Sequence, residues 1–245
     1  MRILALDSSG LVASVAIASE DALLAEYTVN FKKTHSQTLL PMLDEIVRMV
    51  DLDLSEVDAI AITSGPGSFT GLRIGSSTAK GLGLALNKPI ISVPTVDSLA
   101  YNLYGTDRMI CPIMDARRDQ VYTGLYEFIN DKLVVISPQK VVGIDEIIDE
   151  IEAIGKDVIF LGDGVPIHRD RISESMKIGH SFAPLHMNRQ RAGAIAALGL
   201  EYFKENRVET AAEHQPVYLR VSQAERERAE REKAESDMSK KSKEK

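Results

Sequence analysis

The sequence predicts an α/β protein made of two architecturally similar halves, and three observations carry that expectation. Each half opens on three consecutive strand-like runs, each continues into alternating helix and strand, and the second series restarts near residue 106 once the first is complete. The order of segments repeats although their sequences do not. A length of 245 residues accommodates such a duplication, since ~150 residues per domain gives a prior of about 1.6 domains. The 44% apolar share fills a sizeable core, and the 27% charged share excludes wholesale disorder.

In the first half, ILAL from Ile3, VASVAIA and LLAEYTVNF are β-prone runs separated by the turn-rich DSSG and SEDA, a three-strand meander. SQTLLPMLDEIVRMV from Ser36 has one apolar set at Leu39, Leu43, Ile46 and Val50 and a second at Leu40, Met42, Val47 and Met49. It reads as a helix apolar on more than one face. Pro41 deletes a hydrogen bond if it lies deep in a helix, so regular structure is expected from near Thr38. DAIAITS (Asp58 to Ser64) reads as a strand that enters the turn GPGSFT, followed by a helix from Gly71 to about Leu86. KPIISVP is a strand and VDSLAYNLY a helix.

The second half repeats the order: MICPIMDARR, QVYTGLYEF and KLVVISPQKV as strands, IDEIIDEIEAIG as a helix and DVIFLGDG as a strand. Arg189 to Phe203 is helical in pattern, and HQPVYLR is a last ordered segment. From Ser222 onward no aromatic or branched aliphatic side chain occurs. The expected organisation is an N-terminal lobe over 1–105, a C-terminal lobe over 106–221, and a charged, frayed tail over 222–245.

Lys+Arg 29 against Asp+Glu 36 leaves a net charge of −7, which repels phosphate polyanions and disfavours a primary nucleic-acid reader. The single Cys111 excludes an internal disulfide framework and any multi-thiolate metal site. No apolar run of about 18 residues occurs, and Asp7 interrupts the N-terminus before a signal core forms. A cytoplasmic location without membrane contact is expected.

Three segments carry candidate chemistry. Asp7 and Ser8 end the first strand, in a turn that either holds a polar ligand or is a plain hairpin. In GPGSFTGLRIG (Gly65 to Gly75), free N–H groups at the helix start lie near Ser68, Thr70 and Arg73, which makes either an anion cradle or a conformational turn. It is neither a Walker loop nor a dinucleotide fingerprint. Asp115, Arg117, Arg118 and Asp119 of DARRDQVY form either an ion-pair turn or anion contacts. LGDGV is a further strand ending in a glycine turn.

Gly71, Gly75, Ala79 and Gly83 recur every four residues, a stripe nearly free of side chains in which each interior Gly costs about 1 kcal/mol against Ala. Close approach of another backbone offsets that cost, either from the chain's own sheet or from a partner helix. The surplus apolar surface of the preceding helix favours the partner, with Leu40, Leu43 and Val47 contributing to the same interface. The five histidines never pair as His-x-x-x-His, no G-x-S-x-G elbow occurs, and Cys111 has no neighbouring His.

LALDSSG, THSQTLLPMLDEIV, ITSGPGSFTGLRIG, PIMDARRDQVY and LGDGV, in this order over about Met1 to Arg220, resemble the TsaB (YeaZ) family, dimerization subunits of the bacterial tRNA threonylcarbamoyladenosine machinery. The resemblance implies an actin-like, Hsp70-like ATPase (ASKHA) fold with two ribonuclease H-like lobes. It implies a non-catalytic scaffold that pairs with TsaD, the subunit that modifies adenosine 37 of tRNA, and lets the P-loop ATPase TsaE join. Contact with tRNA is then indirect, and a homodimer is the alternative when the chain is alone. ATP and metal are expected on the partner subunits: TsaD binds metal through His-x-x-x-His, and the comparable stretch from Ser92 to Asn102 has no histidine. Asp7, Ser8, Ser68, Thr70, Arg73 and Arg117 are expected as vestigial or interfacial nucleotide contacts. The competing expectation is an autonomous enzyme of the same fold, a small-molecule kinase or an M22-like peptidase.

Overall fold

Two five-stranded mixed sheets with helices on their faces make up the chain, described over residues 1–31 and 33–220 in a computed structural model. The tail expected over 222–245 lies outside the described residues. The first half contains β1 (Arg2–Asp7), β2 (Ala13–Ser19), β3 (Leu23–Val29), α1 (His35–Met49), β4 (Ala59–Gly65), α2 (Phe69–Leu86), β5 (Ile90–Pro94) and α3 (Thr95–Tyr101). The second contains β6 (Met109–Asp115), β7 (Gln120–Ile129), β8 (Lys132–Gly143), α4 (Ile144–Ile154), β9 (Val158–Leu161), α5 (Val165–Ser175), β10 (His180–Phe182) and α6 (Ala192–Lys204).

The sheet orders are β3-β2-β1-β4-β5 and β10-β9-β6-β7-β8. Counted from the first strand of each half, both are 3-2-1-4-5, with an antiparallel meander and parallel later strands. This is the duplicated ribonuclease H-like arrangement of the ASKHA fold. The central strands β1 and β4 are buried on both faces, as their near-continuous apolar runs require.

Side-chain alternation divides each sheet between two cores. On one face of the first sheet, Leu4, Leu6, Ile60 and Ile62 meet Leu39, Leu43 and Ile46 of α1 and Ala79 of α2. The opposite face, with Ile3, Ala5, Ala59 and Ala61, is covered by Ala192, Ile195 and Ala196 of α6. The C-terminal lobe therefore does not extend to 221 as expected. From its own half the small-residue face of the first sheet meets only α3, through Tyr101, and α6 covers the rest; a Cβ on Gly199 would lie 3.0 Å from Ala61 Cβ, so the approach is close. In the second sheet α4 packs Ile144, Ile147 and Ile151 against Cys111, Val121 and Phe160, while α3 packs Val96, Leu99 and Ala100, with Leu103 from the turn after it, against Ile110, Met114 and Tyr126. Since α3 also touches α6, β4 and β5, these two helices form the layer between the sheets. Burial pushes the Cys111 thiol up to about 12, leaving it an inert core group.

The starts of α1 and α2 differ from expectation for identifiable reasons. α1 begins at His35, not near Thr38, so Pro41 lies in its interior; Pro41 and Gln37, whose carbonyl loses its i+4 donor, are both exposed, so that oxygen does not need a partner within the chain. α2 begins at Phe69 because Ser68 caps it, its Oγ accepting the Gly71 N–H at 3.2 Å. The pattern gave no sign of α5, whose largely polar sequence buries only Val165, His168 and Ile172. Among the described residues no helix is long and apolar enough to cross a membrane.

Candidate functional site

The loop before α2 borders two concave surfaces. The first is a cleft of 490 Å³ between the lobes, formed by Ser9, Gly10 and Ser68 on one side and Asp115, Arg117 and Asp163 on the other. Behind its wall lies Asp7, fully buried at the end of β1. Asp7 Oδ1 accepts the Ser9 N–H at 2.7 Å and the Thr63 hydroxyl at 3.0 Å. Its Oδ2, the Ser9 hydroxyl and both amide atoms of Gln190 have no partner among the described residues. Gln190 is 1% exposed and lies against Gly10, where a Cβ would come within 3.2 Å of its Nε2. A floor with this many unpaired polar atoms suits water or a small polar ligand. Among the described residues no group of three or more His, Cys, Asp or Glu is arranged to hold a metal.

Burial drives the Asp7 carboxyl above its ordinary range; the Ser9 and Thr63 hydrogen bonds and the His35 charge only partly oppose this. A carboxyl raised on folding destabilises the native state once it ionises, so its cost appears as pH climbs from the unfolded value toward the folded one and is absent below both. Asp7→Asn keeps an acceptor at Oδ1 and cannot ionise. Its melting temperature is expected to exceed that of the parent at pH 7 and to converge with it as pH falls toward the ordinary aspartate range, measured by thermal melts across pH.

The far wall is the turn from β6 to β7. Arg117, Arg118 and Asp119 all adopt left-handed backbone angles, φ 66°, 57° and 56°, a strained run held by neighbouring contacts. The Asp115 carboxylate accepts the Arg117 N–H at 2.7 Å and pairs with its guanidinium at 3.3 Å. This is the ion-pair turn. Asp163 Oδ1 accepts the Asp115 N–H at 3.0 Å, and burial raises the Asp163 carboxyl. The LGDG segment turns sharply because Gly162, at φ +115°, lies against the Ile113 carbonyl, where a side chain would overlap.

The second surface is a groove of 520 Å³ between α1 and α2, lined by His35, Leu39, Leu40, Phe69, Arg73 and Ile74. Leu40 is 52% exposed there. Residues expected to form one set of anion contacts are thus divided. Ser68 and Arg117 line the cleft, Asp7 and Ser8 are buried behind it, and Thr70 and Arg73 line the groove.

The small-residue stripe does not face outward. Gly71, Gly75, Ala79 and Gly83 are all buried: a Cβ on Gly71 would overlap the Ser8 carbonyl oxygen, and one on Gly75 would overlap Ser8 Oγ and lie 3.1 Å from Ile62 Cδ1. Ser8 Oγ also donates to the Gly71 carbonyl at 2.8 Å, fastening the β1–β2 turn to α2. Leu43 is likewise in the core, and Val47 packs partly against it. Of the expected interface residues, Leu40 alone is exposed. The expectation of a partner at the stripe is corrected: the backbone and side-chain atoms that fill the space beside these glycines belong to this chain.

HQPVYLR was expected as a last ordered segment, but sequence reasoning did not show that residues 207–220 form a strap anchored on the first half. Ala211 packs at Gly83, where a Cβ would be 2.9 Å away; Val217 donates to the Ser64 carbonyl, and its own carbonyl fills the space beside Gly65, at φ +117°. Lys80 Nζ reaches the Ala212 and His214 carbonyls at 3.0 and 2.9 Å. His214 is buried with Nδ1 2.8 Å from Glu209 Oε1 and 2.9 Å from Ser92 Oγ. Both neighbours meet the same ring nitrogen, so no relay runs through the ring; this cluster anchors the strap. No local signal reveals it, because Ser92 and His214 are 122 residues apart. On α3, Asp97 accepts the Tyr126 hydroxyl at 2.7 Å, while Tyr101 packs against Tyr104 and Phe128. The turns of α3 are thus occupied in joining the lobes.

The family model described as TsaD, tRNA N6-adenosine threonylcarbamoyltransferase, matches residues 23–228. A Bacillus subtilis (strain 168) protein described as tRNA threonylcarbamoyladenosine biosynthesis protein TsaB is 33% identical over 92% of this chain and 96% of its own length. A relative of the same description from Escherichia coli (strain K12) is 29% identical over 90% and 95%. A solved structure described as YeaZ from Pseudomonas aeruginosa superposes with a TM-score of 0.74 at 28% identity, covering 89% of this chain and 99% of its own.

Proposed function

This chain belongs to the TsaB (YeaZ) family of tRNA threonylcarbamoyladenosine biosynthesis proteins, and from that premise we propose that it is a non-catalytic subunit that pairs with TsaD through the α1–α2 groove and supports TsaE recruitment. The observation that carries this reading is the groove itself: an open, largely apolar channel between two helices whose opposite faces are already committed to the core. A partner helix gains apolar burial there without any rearrangement of this chain. The glycine contacts assist indirectly, since they lock α2 to β1 and make the exposed face a rigid one.

The assignment of catalysis to the partner draws on α3. The stretch comparable to the TsaD metal motif presents Asp97 and Tyr101, one bonded to Tyr126 and the other in an aromatic stack, so both serve the join between lobes. In this mechanism the threonylcarbamoyl transfer occurs on TsaD, and this chain contributes shape and orientation.

Reconstitution tests the proposal. With threonylcarbamoyl adenylate supplied as the group donor, TsaD and TsaE from the same source are expected to modify tRNA only when this chain is added, and TsaD is expected to co-elute with it in gel filtration. ATP turnover by the isolated chain on the order of 1 per second, abolished by Asp7→Ala, would instead identify an autonomous enzyme using the interlobe cleft.

A further inference from the structure

We propose that Arg73 is a preformed carboxylate receptor at the edge of the α1–α2 groove, and that the partner helix taken there carries an aspartate or glutamate beside its apolar face. This rests on the partner reading above and specifies the chemistry of the surface that docks.

Arg73 projects from the exposed side of α2. Its guanidinium carbon lies 4.1 Å over the Phe69 ring centroid, and its Nε donates toward Tyr218 Oη at 3.4 Å. The Phe69 and Tyr218 rings are themselves in contact, with centroids 4.8 Å apart. A long, flexible cation is thereby held between one residue of its own helix and one from the strap 145 residues away. Stacking uses the guanidinium face and the Tyr218 contact uses Nε, so among the described residues the terminal nitrogens remain open for a bidentate partner. Arg2, Arg48, Arg171 and Arg191 each pair with a carboxylate inside the chain. Arg73 pairs with none among the described residues.

Charge complementarity names the occupant. Among the described residues the groove lining contains Arg73 and His35 and no Asp or Glu, in a chain whose net charge is −7. A local cation in an acidic molecule, bordering Leu40 and Ile74, fits a helix with an apolar face and one acidic side chain. A nucleic-acid backbone fits less well, because a polyanion meets the repulsion of the whole molecule for the gain of one contact. Tyr218 is then a positioning residue: it touches no partner atom in this scheme and acts by fixing Arg73. The strap, anchored through His214 and Val217, becomes part of the docking surface.

The test measures TsaD affinity for the full chain by calorimetry at low and high salt. Arg73→Gln is expected to weaken binding on the order of 10-fold and to flatten its salt dependence, and Arg73→Glu on the order of 100-fold. Arg73→Lys is expected to restore little, because an ammonium cannot form the same fork. Tyr218→Phe, which keeps the ring and removes the hydroxyl, is expected to lose a few-fold in affinity with an unchanged melting temperature. Wild-type affinity and salt dependence in folded Arg73→Gln would overturn the proposal, as would a loss confined to tRNA binding. Failure of the unaltered chain to bind TsaD at all is a different result, and it strikes the partner reading itself.

Discussion

Gly71→Ala is expected to destabilise the chain by about 3 kcal/mol, the upper end of overpacking costs, and to lower its melting temperature by roughly 6–12 °C for a protein of this size. The added methyl would overlap the Ser8 carbonyl oxygen. Neither side can yield cheaply. Ser8 is held by β1 and by its own hydrogen bond to the Gly71 carbonyl, and α2 is capped by Ser68 at the same turn. Gly75→Leu is expected to behave similarly, since its Cβ would overlap Ser8 Oγ and approach Ile62. Gly81 supplies the control: on the same helix it is exposed, and a Cβ there meets nothing within 4 Å. Gly81→Ala is expected to stabilise by about 0.5–1 kcal/mol through helix propensity alone. Thermal melts of the three variants check the contrast. Equal, small effects at Gly71 and Gly81 would contradict the burial of the stripe against the chain's own turn.

Leu40→Asp is expected to reduce affinity for TsaD about 30- to 1,000-fold, the range of ~2–4 kcal/mol typical of a central apolar anchor. Leu40 is on the exposed side of α1 in the groove, so truncating it removes apolar area that only a partner would bury, and a carboxylate there must be desolvated on association. Exposure also predicts that the fold tolerates the change, within about 0.5 kcal/mol. Leu43→Asp, by contrast, places a charge in the core beside Ile46 and is expected to prevent folding. Affinity by calorimetry and stability by thermal melting separate the two residues, although they lie three positions apart on one helix. Unaltered affinity in Leu40→Asp would move the partner surface away from this groove.

The duplicated architecture was legible because its signals are local. Strand runs such as ILAL and VASVAIA, the turns DSSG and GPGSFT, and the helical period of IDEIIDEIEAIG depend on neighbours only a few residues away, and each appears as an element in the structure. The demand for close approach along Gly71, Gly75, Ala79 and Gly83 was legible too, since only a nearby group compensates a glycine inside a helix. Short-range pattern could not name that group. A stripe at four-residue spacing has the same appearance whether it meets a partner or the Ser8 turn, and the distinction rests on a contact 63 residues long in sequence.

The same reason governs the remaining differences. The apolar run of α6 announced a buried helix, but its assignment to the first sheet followed from the uncovered face of Ile3, Ala5 and Ala61, which no local pattern displays. Gln190 meeting Gly10, and Tyr218 meeting Phe69 and Arg73, arise from chain returns that bring distant, individually ordinary residues together. The sequence by itself determined most of the elements, their order, the two-lobed plan and the family, because these follow from local periodicity and from motifs; α5 and β10, short and weakly patterned, did not show in it. Tertiary structure alone decided which faces are already occupied and which remain open to a partner, because burial is a property of pairs of surfaces and one chain segment specifies only its own half of each pair.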